Sequence, residues 1–184
     1  GQLNLGEKAI EQGWSLLKKH GVHPDSKFVC LHVRDSAYLD KTLSHINVDY
    51  HDIRDMDIAN FRKAVVYLIA QGYQVIRIGA ATNQSLALED PNYHDLCLNR
   101  DAEYGDFLEV FVVSQCTFYF GSSSGPVSLA ACFDKPVLEV NVTPYVPFYS
   151  TQSRFIPKYY LNDRNQLIPF RAMFDGMQVS IDNL

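Results

Sequence analysis

Charged and hydroxyl side chains follow two apolar segments of the sequence, where they could bind a phosphate. The run FVCLHVR (28–34) ends in His32 and Arg34, and Asp35 comes directly after it. A later run, TFYFG, leads into the turn SSSG (122–125). A guanidinium binds phosphate oxygens in pairs, and a serine- and glycine-rich turn before a helix offers hydroxyls and backbone N–H groups to an anion. The two segments predict phosphate chemistry.

The spacing of apolar residues predicts the elements that hold these side chains. Four near-continuous β-type runs indicate strands: FVCLHVR, QVIRIG, TFYFG and VLEVN. Segments of helix length or helical spacing precede or separate them: EKAIEQGWSLLKKHG, RDMDIANFRKAVVYLIAQG, DFLEVFVVSQC and GPVSLAAC. Apolar strands joined by helical crossovers form parallel sheets covered on both faces. We therefore expect an α/β fold, a Rossmann-like parallel sheet with helices on both faces.

Some local features are predicted less directly. Asp55 precedes the long second helix and is expected to cap it, and Asp106 and Glu109 have the spacing of a capping box. The stretch 80–102 is polar and is expected to be irregular. The segment after residue 141 is rich in proline and aromatic residues, and we expect it to wrap the sheet edge before a short terminal helix.

Composition limits the classes of protein. A chain of 184 residues, 47% hydrophobic and 20% charged, predicts one domain over 1–184 with a sizeable core. It has no apolar run of about eighteen residues and no signal-peptide pattern, so we expect a cytoplasmic protein or one peripheral to the inner membrane. A net charge of −5 argues against binding a nucleic-acid backbone but not against a small anion. The four cysteines lack CxxC spacing and are expected to be reduced core thiols.

A parallel sheet binds its ligand at the carboxyl ends of the strands, where the topology reverses. The expected diphosphate contacts are Arg34, Arg77, Ser122, Ser123, Ser124 and Gly125. The expected contacts to a base or sugar are Tyr38 and Arg54, and the candidate catalytic residues are Asp35 and His32. Structural roles compete with each of these: the serines could be caps, Arg34 could pair with Asp35 or Asp55, and Arg77 could form a buried salt bridge.

The sequence contains weaker signals for other classes of site. GSSSG has the form of a GxSxG nucleophile elbow with Ser123 at its centre, but no histidine follows His94, so a serine hydrolase is a minor alternative. There is no GK[ST] phosphate loop and no GxGxxG after the first strand. No HxxxH pair or carboxylate cluster stands out, so we expect no metal and no cofactor.

Several runs together resemble a known family. HVRDSAYL, YHDIRDMDIANF, GYQVIRIG, DFLEVF and FGSSSG, within residues 27–142, look like a family of bacterial glycosyltransferases found with surface-polysaccharide genes. That family is similar in outline to the donor-binding C-terminal half of GT-B fucosyltransferase-like enzymes. The resemblance implies a nucleotide-sugar donor, with a GDP-linked sugar as one candidate, held by Arg34 and Ser122 to Ser124 without a metal.

The resemblance also implies a glycan or lipid-linked acceptor and a second Rossmann-like domain, so that this chain is one half of a GT-B fold. The sequence departs from the fucosyltransferase pattern where Asp35-Ser36-Ala37-Tyr38 follows the H-x-R motif. We therefore expect a metal-independent glycosyltransferase of hexosyltransferase type, incomplete as an isolated chain. The alternative from a different class is a non-catalytic nucleotide- or glycan-binding module.

Overall fold

The computed structural model describes residues 2–42, 53–143, 152–169 and 171–172. Its strands are β1 (Phe28–His32), β2 (Gln74–Arg77), β3 (Tyr93–Asp95), β4 (Phe118–Ser122), β5 (Val137–Val142) and β6 (Arg154–Pro157). Its helices are α1 (Glu7–Lys18), α2 (Ala37–Thr42), α3 (Arg62–Ala70), α4 (Gly105–Gln115) and α5 (Gly125–Cys132). A short 3-10 turn, Ile58–Phe61, leads into α3.

All six strands pair in parallel in one sheet, in the order β3-β2-β1-β4-β5-β6. The order runs outward in both directions from β1 and β4, so the topology reverses between these two central strands. The predicted α/β fold with a Rossmann-like parallel sheet is confirmed.

The core lies in two layers, one on each face of the sheet. Alternate residues of β1 point to opposite faces, because successive side chains of a strand alternate. Phe28 and Cys30 join a cluster with α1, α4 and α5, whereas Val29 and Leu31 join one with α3 and the 3-10 turn. Helices therefore cover both faces, as the apolar runs predicted.

Three elements were not predicted: α2 and the outer strands β3 and β6. The sequence of β3 is Tyr-His-Asp, which carries no apolar run, and it pairs with β2 at the sheet edge. β6 pairs with β5 at the opposite edge. Short edge strands depend on hydrogen bonds from a neighbour more than on their own apolar pattern. Most of the predicted terminal helix lies outside the described residues.

The predicted capping box of Asp106 and Glu109 is wrong. α4 begins at Gly105, and Asp101 accepts hydrogen bonds from the backbone N–H groups of Glu103 and Tyr104 just before it. Asp106 and Glu109 lie inside the helix and both pair with Arg100. Spacing alone could not separate a capping box from two carboxylates that share a cation.

The capping prediction for Asp55 is also wrong. Asp57 accepts from the N–H of Ala59 and so caps the 3-10 turn, while Asp55 pairs with Arg34. The expected core thiols are only partly found: Cys30 and Cys116 are buried, Cys97 is half-buried and Cys132 is exposed. All four are free. In the described part of the chain no helix is both long and apolar enough to cross a membrane.

Candidate functional site

A cavity of about 430 Å³ opens at the carboxyl ends of β1 and β2, beside the point where the sheet topology reverses. The end of β1 and the residues after it form one wall, and the first residues of α4 and α5 form others. The predicted site residues that line it are His32, Arg34, Asp35, Tyr38, Ser124 and Gly125. Six of the residues that the sequence singled out therefore line one cavity, and their contacts with a ligand stay a prediction.

Within the described part of the chain, the side chain of Arg34 lines the cavity, is held by one ion-pair partner and has one nitrogen without a hydrogen-bond partner. Its Nε donates to Asp55 Oδ1 at 2.7 Å, which is one of the alternatives that the sequence left open. Its Nη2 is buried and has no hydrogen-bond partner among the described residues. The side chain is 13% exposed. A buried guanidinium nitrogen without a partner is costly. Arg34 lines the cavity, and a guanidinium is a side chain that binds anions.

The serines of the 122–125 turn have different surroundings. Ser122 is fully buried, and its Oγ accepts from the backbone N–H of Arg34 at 2.7 Å. This bond ties β4 to the segment that follows β1. Ser124 is the N-cap residue of α5, yet its side chain makes no capping hydrogen bond. Ser122 therefore fixes the backbone of Arg34 without lining the cavity itself. Of the turn residues, Ser124 and Gly125 line the cavity.

His32 links the wall of the cavity to the serine turn. Its Nδ1 lies 3.1 Å from the carbonyl oxygen of Ile78, and its Nε2 lies 2.8 Å from Ser124 Oγ. Burial lowers the pKa of His32 to about 4, with a smaller lowering by the charges of Arg77 and Arg34. Asp35 and the hydrogen bond to Ile78 act in the opposite direction. The imidazole is therefore neutral at neutral pH.

Asp35 lines the cavity, but the protein already occupies its carboxylate. Its Oδ2 accepts from Thr82 Oγ1 at 2.6 Å and from the N–H of Asn83 at 2.9 Å, and its Oδ1 accepts from the N–H of Ala37 at 3.1 Å. These bonds fix the start of α2 and the loop after β2. Such a carboxylate is better suited to shaping the wall than to abstracting a proton.

Arg77 does not reach the cavity. The residue is 1% exposed and its guanidinium donates to Asp95 Oδ2 at 3.0 Å, to Gln84 O and to Thr82 Oγ1, both at 2.8 Å. This corrects the placement of Arg77 among the diphosphate contacts. The buried salt bridge that the sequence left as the alternative describes its position, because β2 points this side chain toward the Thr82–Gln84 loop.

The remaining predicted residues divide between the wall and the outside. Tyr38 lines the cavity and is 51% exposed, so its ring is available to a ligand. Arg54, Arg77, Ser122 and Ser123 are not among the lining residues.

The sequence-based prediction missed two acidic residues of the cavity wall. Asp106 and Glu109 of α4 line the cavity, and both form ion pairs with Arg100. Arg100 also donates to the carbonyl oxygen of Gly79 at 3.1 Å, so it joins the start of α4 to the end of β2. The sequence contained a signal for these acidic residues, because two carboxylates at i and i+3 share one helix face. Among the described residues no group of three or more His, Cys, Asp or Glu side chains could hold a metal ion.

Solved structures share this architecture. The ADP-heptose lipopolysaccharide heptosyltransferase II of E. coli aligns with a TM-score of 0.62 at 15% identity, covering 89% of this chain and 46% of the other. A glycosyl transferase of family 9 from Veillonella parvula aligns with a TM-score of 0.55 at 11% identity, covering 85% and 42%. This chain thus spans a little under half the length of both proteins. No protein-family model and no curated protein matches the sequence.

Proposed function

We propose that this chain is the donor-binding domain of a glycosyltransferase, which holds a nucleotide-diphosphate sugar in the cavity at the ends of β1 and β2. The observation that carries the proposal is the cavity's position beside the topological switch point, with Arg34 among its lining residues. The fold shared with two solved glycosyltransferases supports the same conclusion.

The diphosphate lies between Arg34 and the start of α5. The hydroxyls of Ser122 and Ser124 already have partners within the protein, so the anion is bound by the guanidinium and by the backbone N–H of Gly125 at the helix start. These donors stabilise the charge that develops on the departing diphosphate, which lowers the barrier to transfer. No metal is assigned to this step.

The whole transferase needs more than this chain. The acceptor, a glycan or a lipid-linked glycan, is bound by a second Rossmann-like domain facing the carboxyl ends of the strands. The catalytic base is assigned to neither Asp35 nor His32, because the carboxylate of Asp35 is occupied and both nitrogens of His32 have partners.

Isothermal titration of UDP, GDP, ADP and CMP against the whole chain tests the proposal. We expect one nucleoside diphosphate to bind, and Arg34→Ala to weaken it by about 1.5 to 3 kcal/mol, the contribution of a hydrogen bond to a charged group. Lys63→Ala removes one positive charge from the exposed side of α3 and is the matched control, expected to leave the affinity unchanged. Binding of none of the four by the folded chain would contradict the proposal and favour another use of this fold.

The pairing of Ser124 with His32 supports a second candidate, a serine hydrolase. A serine 2.8 Å from an imidazole nitrogen has the geometry of an activated nucleophile. The serine that faces the histidine is Ser124 rather than the predicted Ser123, and the histidine precedes it in the chain. A fluorophosphonate probe decides between the two: the transferase proposal predicts no adduct, whereas labelling of Ser124, detected by peptide mass spectrometry, would establish a nucleophile.

A further inference from the structure

The hydrogen bond between Ser124 and His32 has a direction that follows from its neighbours. A carbonyl oxygen only accepts, so Nδ1 of His32, 3.1 Å from Ile78 O, carries the proton. In a neutral imidazole the other nitrogen is then an acceptor. Ser124 therefore donates its single hydroxyl proton to Nε2, 2.8 Å away. Burial, which lowers the pKa of His32 to about 4, keeps this arrangement at neutral pH.

Ser124 is released from the usual role of an N-cap residue. An N-cap serine normally accepts from the N–H of the second or third helical residue. Here the second is Pro126, which has no N–H, and the N–H of the third, Val127, lies 3.1 Å from the carbonyl oxygen of Ser124. No capping bond is made, so the hydroxyl oxygen keeps lone pairs at the cavity wall while its proton is committed to His32.

We propose that Ser124 recognises a hydroxyl group of the ligand and not its phosphate, and that neutral His32 sets this preference by keeping Ser124 a hydrogen-bond acceptor. An ionised phosphate oxygen only accepts hydrogen bonds, so it gains nothing from an oxygen whose proton is already used. A hydroxyl of the transferred sugar or of the ribose donates. His32 is thus a positioning residue that acts through Ser124.

This inference rests on the proposed function and divides its site into two parts. Arg34 and the backbone N–H of Gly125 at the start of α5 bind the diphosphate, and Ser124 binds a hydroxyl. Asp106 and Glu109 also line the cavity, and their carboxylates, which share the cation Arg100, agree with this division because a carboxylate accepts from hydroxyls. The proposal differs from the sequence-based prediction, in which the hydroxyl of Ser124 holds the diphosphate.

Two variants change the hydrogen bonding at residue 124 in opposite ways. Ser124→Ala removes the acceptor. His32→Asn keeps a donor near the position of Nδ1 for Ile78 but places no acceptor near Ser124, which frees the serine proton for a phosphate. Ser128→Ala, on the exposed side of α5 and outside the cavity lining, is the matched control. Thermal unfolding of each variant verifies that it is folded.

The affinities are measured at pH 8, where the phosphates are fully ionised, with three probes for each base of UDP, GDP and ADP. The probes are the nucleotide sugar (UDP-glucose, GDP-mannose or ADP-glucose), the nucleoside diphosphate, and its 2′,3′-dideoxy form. We expect Ser124→Ala to lower the affinity for the nucleotide sugar about three- to ten-fold and to leave the affinity for the dideoxy diphosphate unchanged. We expect His32→Asn to bind the dideoxy diphosphate as tightly as the wild type or more tightly.

The arms identify the source of the hydroxyl. If Ser124→Ala loses affinity for the nucleotide sugar alone, the hydroxyl belongs to the transferred sugar. If it loses affinity equally for the nucleoside diphosphate, the hydroxyl belongs to the ribose. Weakening of all three probes, including the dideoxy form, means that Ser124 binds phosphate and overturns the inference while the proposed function stands. If no probe binds the wild-type chain, the proposed function fails and the inference fails with it.

The tautomer of His32 is a readout that needs no variant. Nitrogen-15 NMR of the chain labelled at histidine is expected to show His32 protonated at Nδ1 and unprotonated at Nε2 at pH 8. A proton on Nε2 would make the histidine the donor in this bond and would overturn the inference directly.

Discussion

At the scale of single residues, the site consists of polar groups whose bonding capacity is largely committed. His32 uses both nitrogens, Asp35 accepts three hydrogen bonds, and Ser122 accepts from the backbone of Arg34. Arg34 differs, because its Nη2 is buried without a partner among the described residues. Fixed groups lose little entropy when a ligand binds, so this wall is organised before binding.

The lowered pKa of His32 predicts a dependence of stability on pH. The unfolded chain takes up a proton at the ordinary histidine pKa near 6.5, while the folded chain takes it up only near 4. Between these values the unfolded state binds more protons, so the free energy of unfolding falls as the pH falls from 6.5 to 4. We expect His32 to contribute about 3 kcal/mol to that fall.

Urea unfolding of the wild type and of His32→Asn across this pH range measures the contribution. Other groups titrate in both proteins, so the relevant quantity is the difference between the two free energies of unfolding at each pH. The difference is expected to shift in favour of the variant as the pH falls. Parallel curves would mean that the imidazole does not resist protonation in the folded state.

At the scale of elements, the cavity depends on the close pairing of β1 and β4. Gly121 of β4 is opposite His32 of β1, and a Cβ built on Gly121 would lie 2.0 Å from the carbonyl oxygen of His32. Backbone atoms inside a sheet cannot move aside as a flexible side chain can. Glycine is therefore required at the position that precedes the serine turn, for packing and not for catalysis.

Gly121→Ala is expected to lower the free energy of unfolding by about 3 kcal/mol or more, because the added methyl group forces the two central strands apart. Gly125→Ala is the control for stability: no atom lies within 4 Å of its added Cβ, and a change within about 0.5 kcal/mol is expected. Chemical denaturation measures both. Equal stability of the two variants would show that the strands can separate at little cost.

The second element that fixes the site is the loop after β2. Arg77 donates to Thr82 and Gln84 of this loop, and Asp35 accepts from Thr82 and Asn83. We expect Arg77→Met to lower the free energy of unfolding by about 3 to 5 kcal/mol, because it leaves the carboxylate of Asp95 buried and unpaired. The double variant Arg77→Met with Asp95→Asn should recover part of this loss. A single variant as stable as the wild type would exclude the ion pair as a stabilising contact.

At the scale of the whole molecule, the proposed anion site is local, in a protein with a net charge of −5. One guanidinium and a helix start suffice for this, since their effect is short-ranged. The chain spans 46% and 42% of the two solved glycosyltransferases that share its fold. In the described part of the chain the cavity opens at the carboxyl edge of the sheet, which is the side where the proposed acceptor domain would lie.

We expect this chain alone to bind a nucleotide sugar without transferring the sugar. Proton-NMR of the nucleotide sugar, incubated with the chain and a glycan acceptor, is expected to show line broadening but no release of nucleoside diphosphate above the protein-free control. Turnover that Arg34→Ala abolishes would show instead that the acceptor site and the catalytic base lie within these 184 residues.

Sequence patterns predicted the parallel sheet, its four central strands and the helices on both faces, because apolar period and helix-length crossovers are local properties. They also predicted a ligand site at the carboxyl ends of the strands, and the structure has a cavity at that edge. They could not predict β3 and β6, whose residues become strands only when a neighbouring edge supplies hydrogen bonds.

The roles of individual polar residues were decided only by the tertiary structure. Arg34 and Arg77 both follow or end apolar strands, but β1 delivers one to the cavity and β2 turns the other into a buried network. Ser122 and Ser124 are two residues apart, yet one is buried behind the wall and the other faces His32, 92 positions earlier in the chain. A sequence specifies which donors and acceptors exist, and only packing determines which of them the protein uses internally and which remain for a ligand.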